Sequence, residues 1–192
     1  MERYFVLEDT MEITDKIAQD VMKNVMKYAK ILKKDPENYE ARAEIMWCGS
    51  LSHNGLTGCG TCGGDWATHL IEHELGGMFD VAHGAGLAAV WGSWARYVMD
   101  EKPERFAQFA VDVMGVEESD DVKSTALKGI EAVEEFYRMI EMPTNMKELG
   151  IDPTDEQIKD MAMKATNHDT QQLGAFKKLS AKDLVEIYKT AK

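Results

Sequence analysis

Cysteine, proline and long apolar runs are all scarce in this sequence of 192 residues, which contains three cysteines and four prolines. An odd number of cysteines without a secretory context argues against a disulfide framework. No apolar run approaches the roughly 20 residues that cross a bilayer, and the first five residues lack the layout of a signal peptide. We therefore expect a cytoplasmic protein with no membrane partner.

Positive charge is also scarce. Lys and Arg residues number 22 against 34 Asp and Glu residues, which gives a formal net charge of −12. The overall field of such a chain repels a phosphate backbone, and so we expect no nucleic-acid partner. An anionic nucleotide can still bind locally, because helix N-termini and single basic residues act over short distances.

The signals of β-structure and of nucleotide-binding folds are missing as well. No alternating or β-branched run is bounded by hairpin turns, no Gly-x-Gly-x-x-Gly follows a strand, and no Walker-type loop occurs. Apolar residues, 44% of the chain, are spaced instead as in helices. The sequence predicts an all-α fold, a multi-helix bundle of roughly seven to nine helices forming a single domain over residues 1–192.

The clearest helix signal lies near the N-terminus, where apolar residues recur every three or four positions from Ile13 to Leu32 and the pattern ends at Lys33-Lys34-Asp35-Pro36. Weaker signals predict the other helices. These run from about Asn38 to Gly55, from an N-cap at Asp65 to Leu75 before Gly76-Gly77, from His83 to Val98, from Pro103, from Ser119 to Glu141, from Asp152-Pro153-Thr154-Asp155, and from a capping box at Ser180.

The pair Cys59-Gly60-Thr61-Cys62 forms a C-x-x-C in a glycine-rich stretch. A zinc knuckle needs a second ligand pair, and a thioredoxin-type site needs a β-α-β pattern, and neither is present. We interpret the two cysteines as an incidental pair in a loop, with a pair of exposed reactive thiols as the alternative. Trp66 and Trp91 are either core residues or the lining of a substrate pocket.

Three of the five histidines, His69, His73 and His83, fall within fifteen residues, and the first two share one helix face at i, i+4. One interpretation treats them as structural residues, as we do His53 and His168. A second takes the pentad His69-Leu70-Ile71-Glu72-His73 as an H-x-x-E-H zinc hydrolase motif, in which Glu72 activates water. A third interpretation is a longer pattern, in which His83 follows His69 by fourteen residues and is itself followed by Gly84.

The stretches Trp66 to Leu75 and Ala82 to Ala88 resemble the metal-site region of the iron-containing (group III) alcohol dehydrogenases, close to the butanol dehydrogenase branch. The similarity extends over nearly the whole chain. It includes Tyr39 to Ala43 with Met46-Trp47, the segment from Met142 to Ile151, and Leu179 to Asp183. By this resemblance the chain corresponds only to the helical, metal-binding half of such an enzyme.

The resemblance implies a specific chemistry. His69 and His83 would be ligands of Fe²⁺ or Zn²⁺, and His73 would be a nearby residue that relays a proton or orients the substrate. The metal would act as a Lewis acid on the oxygen of a small alcohol or aldehyde, which exchanges hydride with NAD(P). In the family that cofactor is held by a separate N-terminal α/β domain, and we do not expect NAD(P) to bind this chain alone.

Two further ligands of the family, an aspartate and a histidine, would precede the run Glu2-Arg3-Tyr4-Phe5, which resembles the segment that follows them. Because two histidines make an incomplete metal site, we expect weak metal binding and no appreciable dehydrogenase turnover from the isolated chain. We also expect a homo-oligomer, since an apolar face without its partner domain tends to find another surface. A non-catalytic helical remnant or assembly module stays open as an alternative.

Overall fold

The computed structural model describes residues 1–9 and 11–192, and this part of the chain contains eight α-helices and no β-sheet. The predicted all-α fold is thus confirmed. One isolated antiparallel bridge joins Leu173 to Leu179. The helices are α1 (Glu12–Lys34), α2 (Tyr39–His53), α3 (Ala67–Phe79), α4 (His83–Val98), α5 (Pro103–Asp112), α6 (Val122–Met139), α7 (Asp155–Ala165) and α8 (Ala181–Ala191).

The described chain divides into two compact units. Unit 1 comprises Met1–Gly64 and Pro103–Ala132, and unit 2 comprises Asp65–Lys102 and Val133–Lys192. Helix α6 therefore contributes residues to both. Whether the whole chain behaves as the one domain that the sequence predicts stays a prediction. None of the described helices combines the length and apolarity that a membrane span requires.

Unit 1 is built on the packing of α1 against α2 and on an aromatic cluster at the N-terminus. Tyr4 and Phe5 are buried, and the Phe5 ring stacks on Phe106 with the ring centroids 4.5 Å apart and contacts Phe109 at 5.2 Å. Aromatic pairs of this kind add to the free energy gained by burying apolar surface. The N-terminal segment is therefore part of the core of this unit.

A buried ion pair lies beside this cluster. The Arg105 guanidinium donates to both carboxylate oxygens of Asp15, at 2.5 and 2.6 Å, and to the carbonyl oxygen of Tyr4. It also lies 3.8 Å from the centre of the Tyr4 ring. Arg105 is 4% exposed and Asp15 is 8% exposed. Both charges are thus held in a closed, bidentate arrangement inside unit 1.

Unit 2 is a layer of four helices in which α3 packs against α4 and α7, and α8 packs against the same two helices. Its core includes the fully buried side chains of Ile71, Leu75, Trp94 and Tyr188. The Tyr188 hydroxyl donates to the carbonyl oxygen of Ile71 at 2.6 Å, and burial raises the pKa of that hydroxyl, which keeps it a neutral donor. The backbone of α3 is thereby fixed to α8.

The helix starts follow the predicted chemistry in two places and depart from it in two others. The capping box at Ser180 is confirmed, and Thr154 opens α7 with a second one. The prediction that Asp65 is the N-cap of α3 is wrong, because Trp66 occupies that position. Helix α6 begins at Val122 rather than at Ser119.

The predicted end of α3 at Gly76-Gly77 is also wrong, since the helix continues to Phe79 and ends where Asp80 adopts a left-handed conformation. The reason lies in packing. A Cβ atom at Gly76 would meet the Glu72 Oε1 atom at 3.0 Å. The glycine therefore makes room for a buried carboxylate one turn earlier and does not terminate the helix.

Candidate metal centre

The three clustered histidines come together where α3 and α4 adjoin in unit 2. His69, Glu72 and His73 share one face of α3 because they are three and four residues apart, and His83 is the first residue of α4. The His83 ring centroid lies 5.2 Å from that of His69 and 5.5 Å from that of His73. The histidines that the sequence singled out are therefore neighbours in space.

Glu72 is the fourth member of this cluster. Its side chain is 2% exposed, and its Oε2 atom contacts the Nδ1 atom of His83. One potential ligand atom from each of Glu72, His73 and His83 can be chosen so that all three lie within 4.8 Å of one another. The resemblance assigned His69 and His83 to the metal and left Glu72 out; only the hydrolase interpretation gave this glutamate a role.

Glycine on α4 makes the position of Glu72 possible. A Cβ atom at Gly86 would meet the Glu72 side chain at 2.6 Å from Oε1 and 2.7 Å from Cγ. Such distances are far below van der Waals contact, so any larger residue would displace the carboxylate. The sequence signal for this contact is Gly86, which follows His83 by three residues and lies on the same face of α4.

The start of α3 is positioned by Asp65, although it is not the N-cap. One carboxylate oxygen of Asp65 accepts from the backbone N–H of Ala67, and the other accepts from the N–H groups of Ala175 and Phe176 at 2.8 and 2.7 Å. Trp66, which lies between Asp65 and Ala67 in the chain, is held in a left-handed conformation with φ of 62°. Its ring lies edge-on to His69, with the centroids 5.1 Å apart. The strained residue thus borders the histidine cluster.

Among the other candidates from the sequence, Trp66 borders this cluster and the rest lie elsewhere. Trp91 is buried in the core of unit 2, whereas Trp66 is half-buried beside His69. His53 lies exposed at the end of α2, and His168 is exposed in a loop. The thiols of Cys59 and Cys62 are both exposed and unbridged, and Cys48 is buried.

The chemistry of the donor set fits a divalent transition metal. Imidazole nitrogens suit Zn²⁺ and Fe²⁺, and a carboxylate near an imidazole is the usual companion of a ligating histidine. Three imidazoles and one buried carboxylate at a helix junction therefore define the class of the protein as a helical domain with a candidate metal site. A catalytic site of this type keeps a position open for a solvent or substrate oxygen.

Comparison with known proteins identifies the family. The chain belongs to the Fe-containing alcohol dehydrogenase family, whose C-terminal family model matches residues 1–192. It is 31% identical over 189 residues to NADH-dependent butanol dehydrogenase A of Clostridium acetobutylicum, covering 98% of this chain and 48% of that protein. It is 30% identical over 193 residues to the NADPH-dependent aldehyde reductase YqhD of Escherichia coli, covering 100% of this chain and 49% of that protein.

Solved structures show the same fold. The crystal structure of NADH-dependent butanol dehydrogenase A from Thermotoga maritima superposes with a TM-score of 0.89 at 34% identity, covering 99% of this chain and 48% of that chain. The chain therefore spans about half the length of the proteins it matches. The resemblance to iron-containing alcohol dehydrogenases, stated from the sequence, is confirmed at the level of the family and of its C-terminal part.

Proposed function

We propose that this chain is the metal-binding helical half of an NAD(P)-linked oxidoreductase that interconverts small alcohols and aldehydes by hydride transfer. The observation that carries the proposal is the convergence of His69, His73 and His83 at the junction of α3 and α4, in a chain whose family is that of the Fe-containing alcohol dehydrogenases. Relatives named for NADH and for NADPH both occur, so either nicotinamide cofactor fits the proposal.

In this proposal His69 and His83 hold Fe²⁺ or Zn²⁺ through their imidazole nitrogens. A bound ion of this kind supplies Lewis acidity toward an alcohol or carbonyl oxygen. His73 is solvent-exposed, and its ring lies beside that of His83. An exposed imidazole next to the site can pass a proton between the substrate oxygen and water, because one ring nitrogen can accept a proton while the other donates one.

The alternative of a zinc hydrolase with Glu72 as the general base has less support from the geometry. A water-activating carboxylate must reach both solvent and substrate, whereas the Glu72 side chain is 2% exposed and contacts His83. The two functions also predict different ligands. The dehydrogenase uses His69 and His83, and the hydrolase uses His69 and His73.

Metal titration of single variants tests these assignments. We expect His69→Ala and His83→Ala each to weaken Zn²⁺ binding more than about tenfold, because each removes a ligand, and His73→Ala to leave the affinity nearly unchanged. His53→Ala is the matched control, since His53 is exposed on α2 and outside the cluster. Loss of affinity in His73→Ala with none in His83→Ala would favour the hydrolase. Equal affinities throughout would favour a non-catalytic module.

We expect no butanol oxidation above blank from the 192-residue chain alone with NAD⁺ or NADP⁺, even after metal loading. The described residues contain no β-sheet, and dinucleotides are bound at the carboxyl ends of parallel strands. The test is the absorbance of reduced nicotinamide. Measurable turnover would contradict this expectation and would assign cofactor binding to helices alone.

We further propose that the isolated chain self-associates through α2. Tyr39, Met46 and Trp47 are 85%, 72% and 62% exposed and lie on one face, at i, i+7 and i+8. Light scattering at micromolar concentrations should give at least a dimer, and Met46→Glu with Trp47→Glu should give a monomer. Met139→Glu, at a residue that is 57% exposed on α6, is the control. A monomeric mass for the unaltered chain would contradict the proposal.

A further inference from the structure

Glu72 is a buried carboxylate for which the alcohol dehydrogenase assignment above provides no role. Glu72 as a whole residue is 1% exposed. Burying a charged group without a partner costs free energy of folding. Its partner is the imidazole of His83, whose Nδ1 atom contacts Oε2. The His83 side chain is 50% exposed, so the contact joins a buried carboxylate to a half-exposed imidazole ring.

The geometry points to Glu72 as a positioning residue for the metal site: we propose that it holds His83 in the tautomer with the proton on Nδ1 and leaves Nε2 as the metal ligand. This inference rests on the proposed metal site. A neutral imidazole has one donor and one acceptor nitrogen, and a carboxylate offers only acceptors. Contact with Glu72 therefore places the proton on Nδ1, and the free lone pair is on Nε2.

The surroundings show that Glu72 is built into this place. Gly86 leaves space that a single methyl group would fill, with a Cβ atom 2.6 Å from Oε1, and Gly76 leaves space on the other side, with a Cβ atom 3.0 Å from the same oxygen. Two glycines on adjacent helices thus admit the carboxylate between α3 and α4. A ligand ring held in one orientation loses less conformational freedom when a metal binds, which raises the affinity.

The first test reads the tautomer of His83 in the metal-free chain by NMR of the ring nitrogens, at a pH where the imidazole is neutral. We expect Nδ1 to carry the proton in the unaltered chain. Glu72→Met should release this preference, because methionine has similar length and no strong acceptor. A proton on Nε2 in the unaltered chain, or the same preference in Glu72→Met, would overturn the proposal. A merely structural role for Glu72 would not move this signal.

Gly86→Ala reaches the same contact without changing any titratable group. We expect it to displace the carboxylate, to release the tautomer of His83 and to weaken Zn²⁺ binding about 10- to 100-fold, as does Glu72→Met. Gly77→Ala is the matched control, because it lies within α3 outside the histidine cluster and a Cβ atom there meets nothing within 4 Å. Equal affinities in Gly86→Ala and Gly77→Ala would overturn the proposal even if Glu72→Met failed to fold.

Cadmium loading separates a positioning role from direct ligation. In NMR spectra of the cadmium-loaded chain we expect scalar coupling between the cadmium nucleus and Nε2 of His83, and we expect Nδ1 to keep its proton. Coupling to Nδ1, or loss of its proton when the metal binds, would overturn the proposal and make Glu72 a candidate ligand. A chain that holds the expected tautomer but binds neither Zn²⁺ nor cadmium would refute the metal site itself. Tight binding with the wrong tautomer would refute only the role of Glu72.

Discussion

Each unit of this protein contains a buried carboxylate with a cationic or imidazole partner, and the two pairs differ in what surrounds them. In unit 1 Asp15 is bound by Arg105, and both residues are less than 10% exposed. In unit 2 Glu72 is buried as well, but the side chain of its partner His83 is half exposed, and the rings of His69 and His73 lie beside that of His83. One pair is closed, and the other opens to solvent.

This difference separates a structural pair from a candidate functional one. All the polar partners of the Arg105 head group named above belong to unit 1, so the pair leaves no position for a ligand. The imidazole of His83 has two nitrogens, and contact with Glu72 engages only one of them. A buried carboxylate is therefore a candidate for function when its imidazole partner has a second nitrogen that the contact leaves unengaged.

The largest effect should come from breaking the closed pair. Arg105→Met leaves the Asp15 carboxylate buried without a partner, and we expect it to lower the free energy of unfolding by about 3–5 kcal/mol. Urea unfolding measures this loss. Metal affinity should stay unchanged, because the variant does not touch the histidine cluster.

Two controls accompany this measurement. The double variant Asp15→Leu with Arg105→Met removes both charges and should recover most of the stability. Lys16→Met breaks an exposed pair with Asp112, whose atoms are 4.0 Å apart, and should cost no more than about 1 kcal/mol. If Arg105→Met costs no more than Lys16→Met, the description of the Asp15 pair as closed is wrong.

Breaking the open pair should cost less stability and more function. His83→Ala removes the partner of Glu72, but the exposed side of the site lets water reach the carboxylate, so we expect a loss of about 1–3 kcal/mol, smaller than for Arg105→Met. The same urea unfolding measures it, with His53→Ala as the control expected within about 0.5 kcal/mol of the unaltered chain. A cost equal to that of Arg105→Met would remove the contrast between the two pairs.

The smallest effect concerns a half-buried pair elsewhere in unit 2. The Tyr97 hydroxyl donates to Asp183 at 2.5 Å, and Tyr97→Phe should cost about 1 kcal/mol near neutral pH. This hydrogen bond, with burial, raises the pKa of Tyr97 to about 12. Burial raises the pKa of Asp183, but hydrogen bonds from Ser180 and Tyr97 outweigh it and hold that pKa below its ordinary value of 3.8.

The signs of these two pKa shifts give the pH dependence. The contribution of Asp183 is present above its ordinary pKa of 3.8 and is lost as the pH falls through the lowered value. The contribution of Tyr97 is present below its ordinary pKa of 10.0 and is lost as the pH rises through about 12. Urea unfolding of the unaltered chain and Tyr97→Phe should therefore differ between these limits and converge outside them. A constant difference at all pH values would contradict this pairing.

Much of the helical pattern was accessible from the sequence because it depends on local rules. The apolar repeat from Ile13 to Leu32 predicted α1, and the polar residues at Ser180 and Asp183 predicted the capping box of α8. The errors occurred where a residue with a strong local preference serves a distant contact. Asp65 binds the N–H groups of Ala175 and Phe176, and Gly76 makes room for Glu72, so neither marks a helix end.

The sequence by itself determined the helical class, the acidic surface and the resemblance to the metal-site region of a known family, because periodicity, charge and motif spacing are properties of the chain. Only the tertiary structure decided that Glu72 lies against His83 and that Gly86 admits it. That contact joins two helices separated by a turn. The H-x-x-E-H pattern places Glu72 among the histidines of α3, but burial between α3 and α4 is a tertiary property, and no local pattern shows that this carboxylate lies against His83.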